Sequence, residues 1–193
     1  KMTKNEWKNS LIFYAKILLK SINFNPDIVT SADIDETPLK KETPEVYVER
    51  MALEKCNKVL KTHKEGVVLT ADTIGTRNKK IIRKALSDED AYEILNFISG
   101  KNVDFLTAFC VAKDGVIVTR KLIRTKVYFK HFNEYDIKEL VESKEGIGAS
   151  CACRFEGLMQ GFVKKIVGSF SNIMGLPLYE VRNSLISAGV KTK

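Results

Sequence analysis

An α/β protein, with helices packed on a β-sheet, is what this sequence predicts, and three observations carry the prediction. Segments with helical spacing of apolar residues alternate with short strand-like runs. A hairpin signal interrupts that alternation, which points to a mixed sheet rather than a purely parallel one. At 193 residues and 44% hydrophobic, the chain can bury a sizeable core as one domain, or as two lobes sharing a sheet.

Trp7, Leu11, Ala15, Leu18 and Ile22 recur at helical spacing and predict an amphipathic helix over residues 6–23. DIVTSADID (27–35) reads as a strand. TPEVYVERMALEKCNKVLK opens with Thr43 as candidate N-cap and Pro44 at the first helical position; Val48, Met51, Ala52, Cys56, Val59 and Leu60 form one face of a long helix. VVLTAD (67–72) is the next strand, and RNKKIIRKA is a polar crossing into a helix capped by Ser87 and closed by Gly100. VDFLTAFCVA and GVIVTRKLIRTKVYF flank Lys113-Asp114-Gly115, which predicts two antiparallel strands joined by a tight turn. FNEYDIKELVES gives a short helix with Asn133 as candidate cap. PLYEVRNSLISAG gives a final one, with Pro177 near its start and Gly189 past its end.

Composition narrows the function classes. No apolar run approaches the length of a membrane span and the N-terminus lacks the apolar core of a signal peptide, so a soluble, intracellular protein is expected. Cys56, Cys110, Cys151 and Cys153, with His63 and His131, lack zinc-site spacing, and reduced structural thiols are expected. Thirty-two basic against 24 acidic residues leave a net charge of +8, which favours an anionic partner. The lysines are spread along the chain without a basic stripe interleaved with aromatics, so a nucleic-acid groove is not expected and small phosphorylated ligands remain open.

The chemistry sits at the joints. VVLTAD drives an apolar run into one carboxylate, Asp72, which needs either a partner or a job, because aspartate is a poor strand residue and costly to bury unpaired. It is either a cap on the turn that leaves the strand or part of a site. ADIDETP places Asp33, Asp35 and Glu36 close together at a strand end; with Asp72 they make the acidic half of a site for a hard divalent ion, or else a solvated acidic turn. Arg50 and Lys55 are five positions apart on their helix, about 140° around its axis, so at most one points into any one site. GSFSNIMGLPL (168–178) has the glycines and small polar residues of a loop that can present backbone N–H groups to an anion, or simply of a tight loop before a helix.

Taken in order, ADIDETP, ERMALEK, the strand ending ADT, Lys84-Ala85, LNFISGKNVDFLTAF and FVKKIVGSFSNIMGLPL together resemble the Maf family of nucleotide pyrophosphatases, over about residues 32–193 of a single domain whose first 31 residues diverge. The resemblance implies a fold related to the inosine triphosphate pyrophosphatases: an elongated mixed sheet flanked by helices, in two lobes with a central cleft. It implies hydrolysis of a nucleoside triphosphate to the monophosphate and pyrophosphate, with a divalent metal such as Mg2+ or Mn2+, in a cytoplasmic homodimer. Asp72 matches the family's proton acceptor, and Lys55 and Lys84 match family lysines that would offset phosphate charge; Glu36 matches the acid of the family's first motif and is expected to position metal or water, with Asp72 its partner on the metal. Thr73, in ADT, is similar to the branch acting on dTTP and UTP, whereas Glu156, in RFEGL, is similar to the branch acting on 7-methyl-GTP; both are expected to bind substrate. The family's N-terminal Ser-x-Ser-x-x-Arg loop, which holds the triphosphate, stands here as NSLIFYAKILL, with Lys16 the counterpart of the arginine. The usual Asp-Lys-Ala-Gly is Gly148-Ala149-Ser150-Cys151. A Maf-like protein that keeps the fold as a nucleotide-binding or regulatory module is the alternative.

Overall fold

A computed structural model describes residues 14–192. In chain order its elements are helix α1 (residues 14–21), α2 (Pro44–Leu60), strands β1 (Val67–Arg77) and β2 (Lys80–Ile82), α3 (Asp88–Ile98), β3 (Asn102–Lys113), β4 (Val116–Phe129), α4 (Glu134–Glu142), a 3-10 turn (Leu158–Phe162), β5 (Val163–Val167), α5 (Phe170–Ile173) and α6 (Leu178–Ser187). The five strands form one antiparallel sheet in the order β2-β1-β3-β4-β5, flanked by helices, as an α/β protein should. No described helix is long and apolar enough to cross a membrane.

Two hairpins set the order. Asp114 (φ 47°) and Gly115 (φ 83°) both take left-handed backbone, the twist-matched two-residue turn that LysAspGly predicts between β3 and β4. The second hairpin corrects the expectation of a polar crossing: Asn78 (φ 51°) and Lys79 (φ 59°) make the same turn, and β2 folds back on β1 with Gly75 opposite Ile82 and Arg77 opposite Lys80. β5 then pairs with β4, Lys126 opposite Val167 and Tyr128 opposite Lys165.

The described chain falls into two compact units. One holds the residues through Asp72, Thr107–Ile123 and those from Gly175 onward; the other holds Thr73–Leu106 and Arg124–Met174. In the first, the Thr43 hydroxyl accepts from Val46 N at 3.4 Å, Pro44 opens α2, and Tyr47, Val48, Met51, Ala52 and Cys56 are buried along one helical stripe. Ala108, Phe109, Cys110, Val111 and Ala112 of β3 are all buried, so both faces of this strand are covered, which explains its unbroken apolar run. α1 buries Leu18 and Leu19; Trp7 and Leu11 of the helix expected over 6–23 lie outside the described residues.

The strand expected at 27–35 does not form. This stretch is irregular: Ile28 is 64% exposed, Val29 is exposed too, and Ala32 and Ile34 are only half-buried. Asp33, Asp35 and Glu36 accordingly belong to a loop rather than to a strand end.

The second unit is held by an aromatic cluster. Phe105 meets Phe155 edge-on at 5.1 Å, Phe132 meets Phe162 edge-on at 5.7 Å, and Phe129 lies against both Phe132 and Phe155. Each fully buried ring contributes roughly 1.5–3 kcal/mol. α3 and α4 close over Ile94, Leu95, Ile98, Ile137 and Leu140. The Ser87 hydroxyl accepts from Asp90 N, and Asn133 caps α4, both as expected; Asp136 completes a reciprocal capping box with Asn133. All four cysteines are buried with free thiols.

Candidate active site

β1 and α2 meet along one face of the strand. Alternation turns Thr70 and Asp72 the same way. The Thr70 hydroxyl donates to the Ala52 carbonyl at 2.9 Å, and one helical turn further on Lys55 Nζ donates to Asp72 Oδ1 at 2.5 Å. β1 continues to Arg77, so Asp72 lies within the strand and not at its end as the sequence suggested. Its charge is accommodated because the helix supplies a cation opposite it.

Lys55 is the hub. Its ammonium also reaches Glu36 Oε1 at 3.1 Å, and the three side chains differ in access: Asp72 is 11% exposed, Lys55 17% and Glu36 43%. Burial by itself would lower the Lys55 ammonium, but the Asp72 and Glu36 carboxylates outweigh it and hold the group above its ordinary value. Tyr47, two turns earlier on α2, donates its hydroxyl to the Glu36 carbonyl at 2.8 Å. Burial first, then the charges of Asp72 and Glu36, push this phenol up to about 12, so it stays a proton donor.

The loop before α2 is tied down by Arg50. The guanidinium forks onto Glu42, Nε to Oε1 at 2.7 Å and Nη2 to Oε2 at 2.8 Å, and also donates to the Thr37 carbonyl at 3.0 Å and to Glu54 at 3.2 Å. The hydrogen bonds from Arg50, with a further one from Leu39 N, hold the Glu42 carboxyl at about 2 even though burial opposes this. Asp35 is turned to its own backbone, accepting from Thr37 N at 2.9 Å, and those Thr37 bonds lower its carboxyl.

In the other unit, the Thr73 carbonyl accepts from the Ser150 hydroxyl at 2.9 Å, and Ser150 pairs through its backbone with Lys84 in an isolated bridge. Thr73, Lys84 and Ser150 are thus brought together. Glu156 is half-buried, and desolvation raises its carboxyl, with the neighbouring Glu145 charge adding to the effect and Arg154 opposing it.

The structure therefore joins Asp72, Lys55 and Glu36 in one bonded group. Lys16 lies exposed on α1, and residues 9–13 of NSLIFYAKILL lie outside the described residues. Of the two readings of 168–178, these hydrogen bonds favour the tight loop: Ser169 N donates to Thr125 Oγ1, Asn172 N to Ser169 Oγ, and the fully buried Asn172 amide to Phe105 O and Thr125 Oγ1. These donors hold the loop on β3 and β4. Sequence reasoning missed Tyr47 and Glu42 and left Arg50 without a task. The available signal was the spacing of Tyr47, Arg50 and Glu54, which share a helix face three and four residues apart.

Glu36 and Asp72 are the carboxylates of this group that could offer oxygen ligands to a hard cation; both now lie on Lys55. Among the described residues no group of three or more His, Cys, Asp or Glu side chains could hold a metal ion. Two carboxylates nonetheless fit Mg2+, which retains several waters and completes its shell with substrate phosphates.

Comparison with known proteins identifies relatives of the chain. The sequence model of a family described as Maf-like protein matches residues 15–188. A dTTP/UTP pyrophosphatase of Zymomonas mobilis is 39% identical over 172 residues, 89% of this chain and 85% of the relative. A nucleoside triphosphate pyrophosphatase of Neorickettsia sennetsu is 38% identical over 90% of this chain and 83% of its own length. A dTTP/UTP pyrophosphatase of Caulobacter vibrioides is 38% identical over 90% of both chains.

Proposed function

The chain belongs to the Maf-like protein family, and from that premise we propose that it is a nucleoside triphosphate pyrophosphatase, cleaving its substrate to the monophosphate and pyrophosphate, with dTTP or UTP as the preferred substrate. The observation that carries the reading is the Asp72 carboxylate held on Lys55, with Glu36 on the same ammonium. The substrate preference is supported by the dTTP/UTP names of two relatives and by Thr73 following Asp72; Glu156 pulls toward a modified guanine.

The chemistry follows from charge. Water must lose a proton as it attacks the α-phosphorus, and a carboxylate fixed by its strand and by a cation is a suitable acceptor. Arrival of a triphosphate gives Lys55 a competing anion, which weakens its bond to Asp72 and makes that carboxylate a better proton acceptor. Lys55 then offsets the charge on the phosphates. Glu36 and Asp72 would hold a divalent cation, Mg2+ or Mn2+, which when bound neutralises triphosphate charge and draws electrons from the phosphoryl oxygens. The same reading makes the protein a cytoplasmic homodimer.

A second reading, a binding module without turnover, is favoured by one observation: residues 14–21 are helical, and Lys16 lies exposed where the family resemblance implies a loop that holds the triphosphate. Pyrophosphate release from dTTP, UTP, the other canonical triphosphates and 7-methyl-GTP, measured after chelation and again with Mg2+ or Mn2+ restored, separates the readings. Metal-restored release from a pyrimidine triphosphate is expected. Binding of a triphosphate by calorimetry with no release from any substrate would establish the module instead.

A further inference from the structure

Glu36 reaches Lys55 from a segment that has no secondary structure of its own. Residues 24–39 form neither helix nor strand, and Glu36 is 43% exposed, so packing does little to fix its carboxylate. What fixes it is a pair of side chains from α2. Tyr47 Oη donates to the carbonyl of Glu36 itself at 2.8 Å, and Arg50 Nη2 donates to the carbonyl of the next residue, Thr37, at 3.0 Å. Consecutive carbonyls of the loop are thereby pinned to one face of the helix. Arg50 is in turn held rigid: its planar fork is matched by both oxygens of Glu42, whose side chain is only 4% exposed, and its guanidinium lies 5.5 Å from the Tyr47 ring centroid. Glu42 closes the other end of the loop by accepting from Leu39 N at 2.9 Å.

We infer that Tyr47 and Arg50, with Glu42, are positioning residues: they clamp residues 36–42 onto α2 so that the Glu36 carboxylate is delivered to Lys55. The inference deepens the pyrophosphatase reading and rests on it for its catalytic consequence, while the clamp itself is a property of the fold. A lysine at position 50 would keep the charge but could not serve Thr37 and both Glu42 oxygens at once. The clamp therefore requires arginine.

Two variants loosen it by different routes. Tyr47→Phe keeps the buried ring and deletes only the bond to Glu36. Arg50→Met with Glu42→Gln removes the fork without stranding a buried carboxylate. Hydrogen–deuterium exchange of peptides covering 33–42 should quicken by about tenfold in either variant, with amides of β3 unchanged, since an irregular loop opens locally once its few anchors go. Turnover number should fall about 10- to 100-fold with a smaller change in KM, because a misplaced group costs rate more than binding. In a Glu36→Gln background the same changes should cost less than about threefold, the non-additivity expected when one residue acts through another. Unchanged exchange in both variants overturns the clamp. Quickened exchange with undiminished turnover, or a full multiplicative loss in the Glu36→Gln background, overturns the positioning role. If the wild-type protein releases no pyrophosphate from any triphosphate, the pyrophosphatase reading and the catalytic role fall together, and the exchange arm still decides the clamp.

Discussion

Replacing Asp72 by asparagine preserves the shape of the side chain and removes its charge and its basicity. In the folded protein Asp72 Oδ1 lies 2.5 Å from Lys55 Nζ, and Glu36 lies 3.1 Å from the same nitrogen. Breaking a buried ion pair outright costs about 3–5 kcal/mol, because it leaves one charge uncompensated. Here two compensations survive: the amide oxygen still accepts from Lys55, and Glu36 still neutralises it. The expected loss is therefore about 1–2 kcal/mol, the difference between a charged and a neutral acceptor. For a chain of this length that is a fall in Tm of about 2–8 °C. Turnover should fall much further, by about 10²- to 10⁴-fold, since an amide cannot take the proton from water. Thermal unfolding and steady-state pyrophosphate release on the same preparation check both numbers. A folded variant within about tenfold of wild-type turnover would refute the assignment of Asp72 as base. A fall in Tm beyond about 15 °C would refute the claim that Glu36 compensates Lys55.

Four further outcomes are expected. The Glu42 carboxyl is depressed to about 2 in the folded protein, so its contribution is present above the unfolded value near 4.5 and lost as pH falls through 2; Glu42→Gln should cost about 1–2 kcal/mol at neutral pH and flatten the acid limb of stability between those values, read by denaturation across pH. Glu156→Gln should change discrimination among bases by about 1–3 kcal/mol more than it changes overall rate, and equal loss on every nucleotide in a panel would contradict base reading. Lys79→Gly relieves a left-handed lysine in the β1–β2 turn and should raise Tm by about 2–4 °C. A Cβ on Gly75 would stand 1.7 Å from Cys151 Sγ, so Gly75→Ala should destabilise by about 1–3 kcal/mol or more, and Gly75→Ala with Cys151→Gly should recover much of that in the same melting assay.

What was legible in the sequence shares one property: it is written within a few residues. The caps at Ser87 and Asn133, Pro44 opening α2, and the Asp114-Gly115 turn each depend on backbone geometry that the local residues prefer, and each stands where the pattern put it. The β1–β2 hairpin was missed because its turn is Asn78-Lys79, which lacks the glycine that advertises such turns and accepts left-handed backbone at a cost. The strand expected at 27–35 does not form because its apolar residues, with Ala32 and Ile34 half-buried, meet no partner strand among the described residues.

The site divides the same way. Asp72, Lys55 and Glu36 could be named from their motifs, and the fold brings all three together. That Asp72 lies inside β1 rather than at its end, that Lys55 and not Arg50 is the cation turned toward it, and that Tyr47, Arg50 and Glu42 hold the loop carrying Glu36 were decided by tertiary structure alone. These bonds join residues 8, 11, 13 and 17 positions apart, partly along a stretch without periodicity. A repeating element announces its faces through the spacing of its residues; an irregular loop takes its path from whatever donors its neighbours supply, and those exist only once helix and strand have packed.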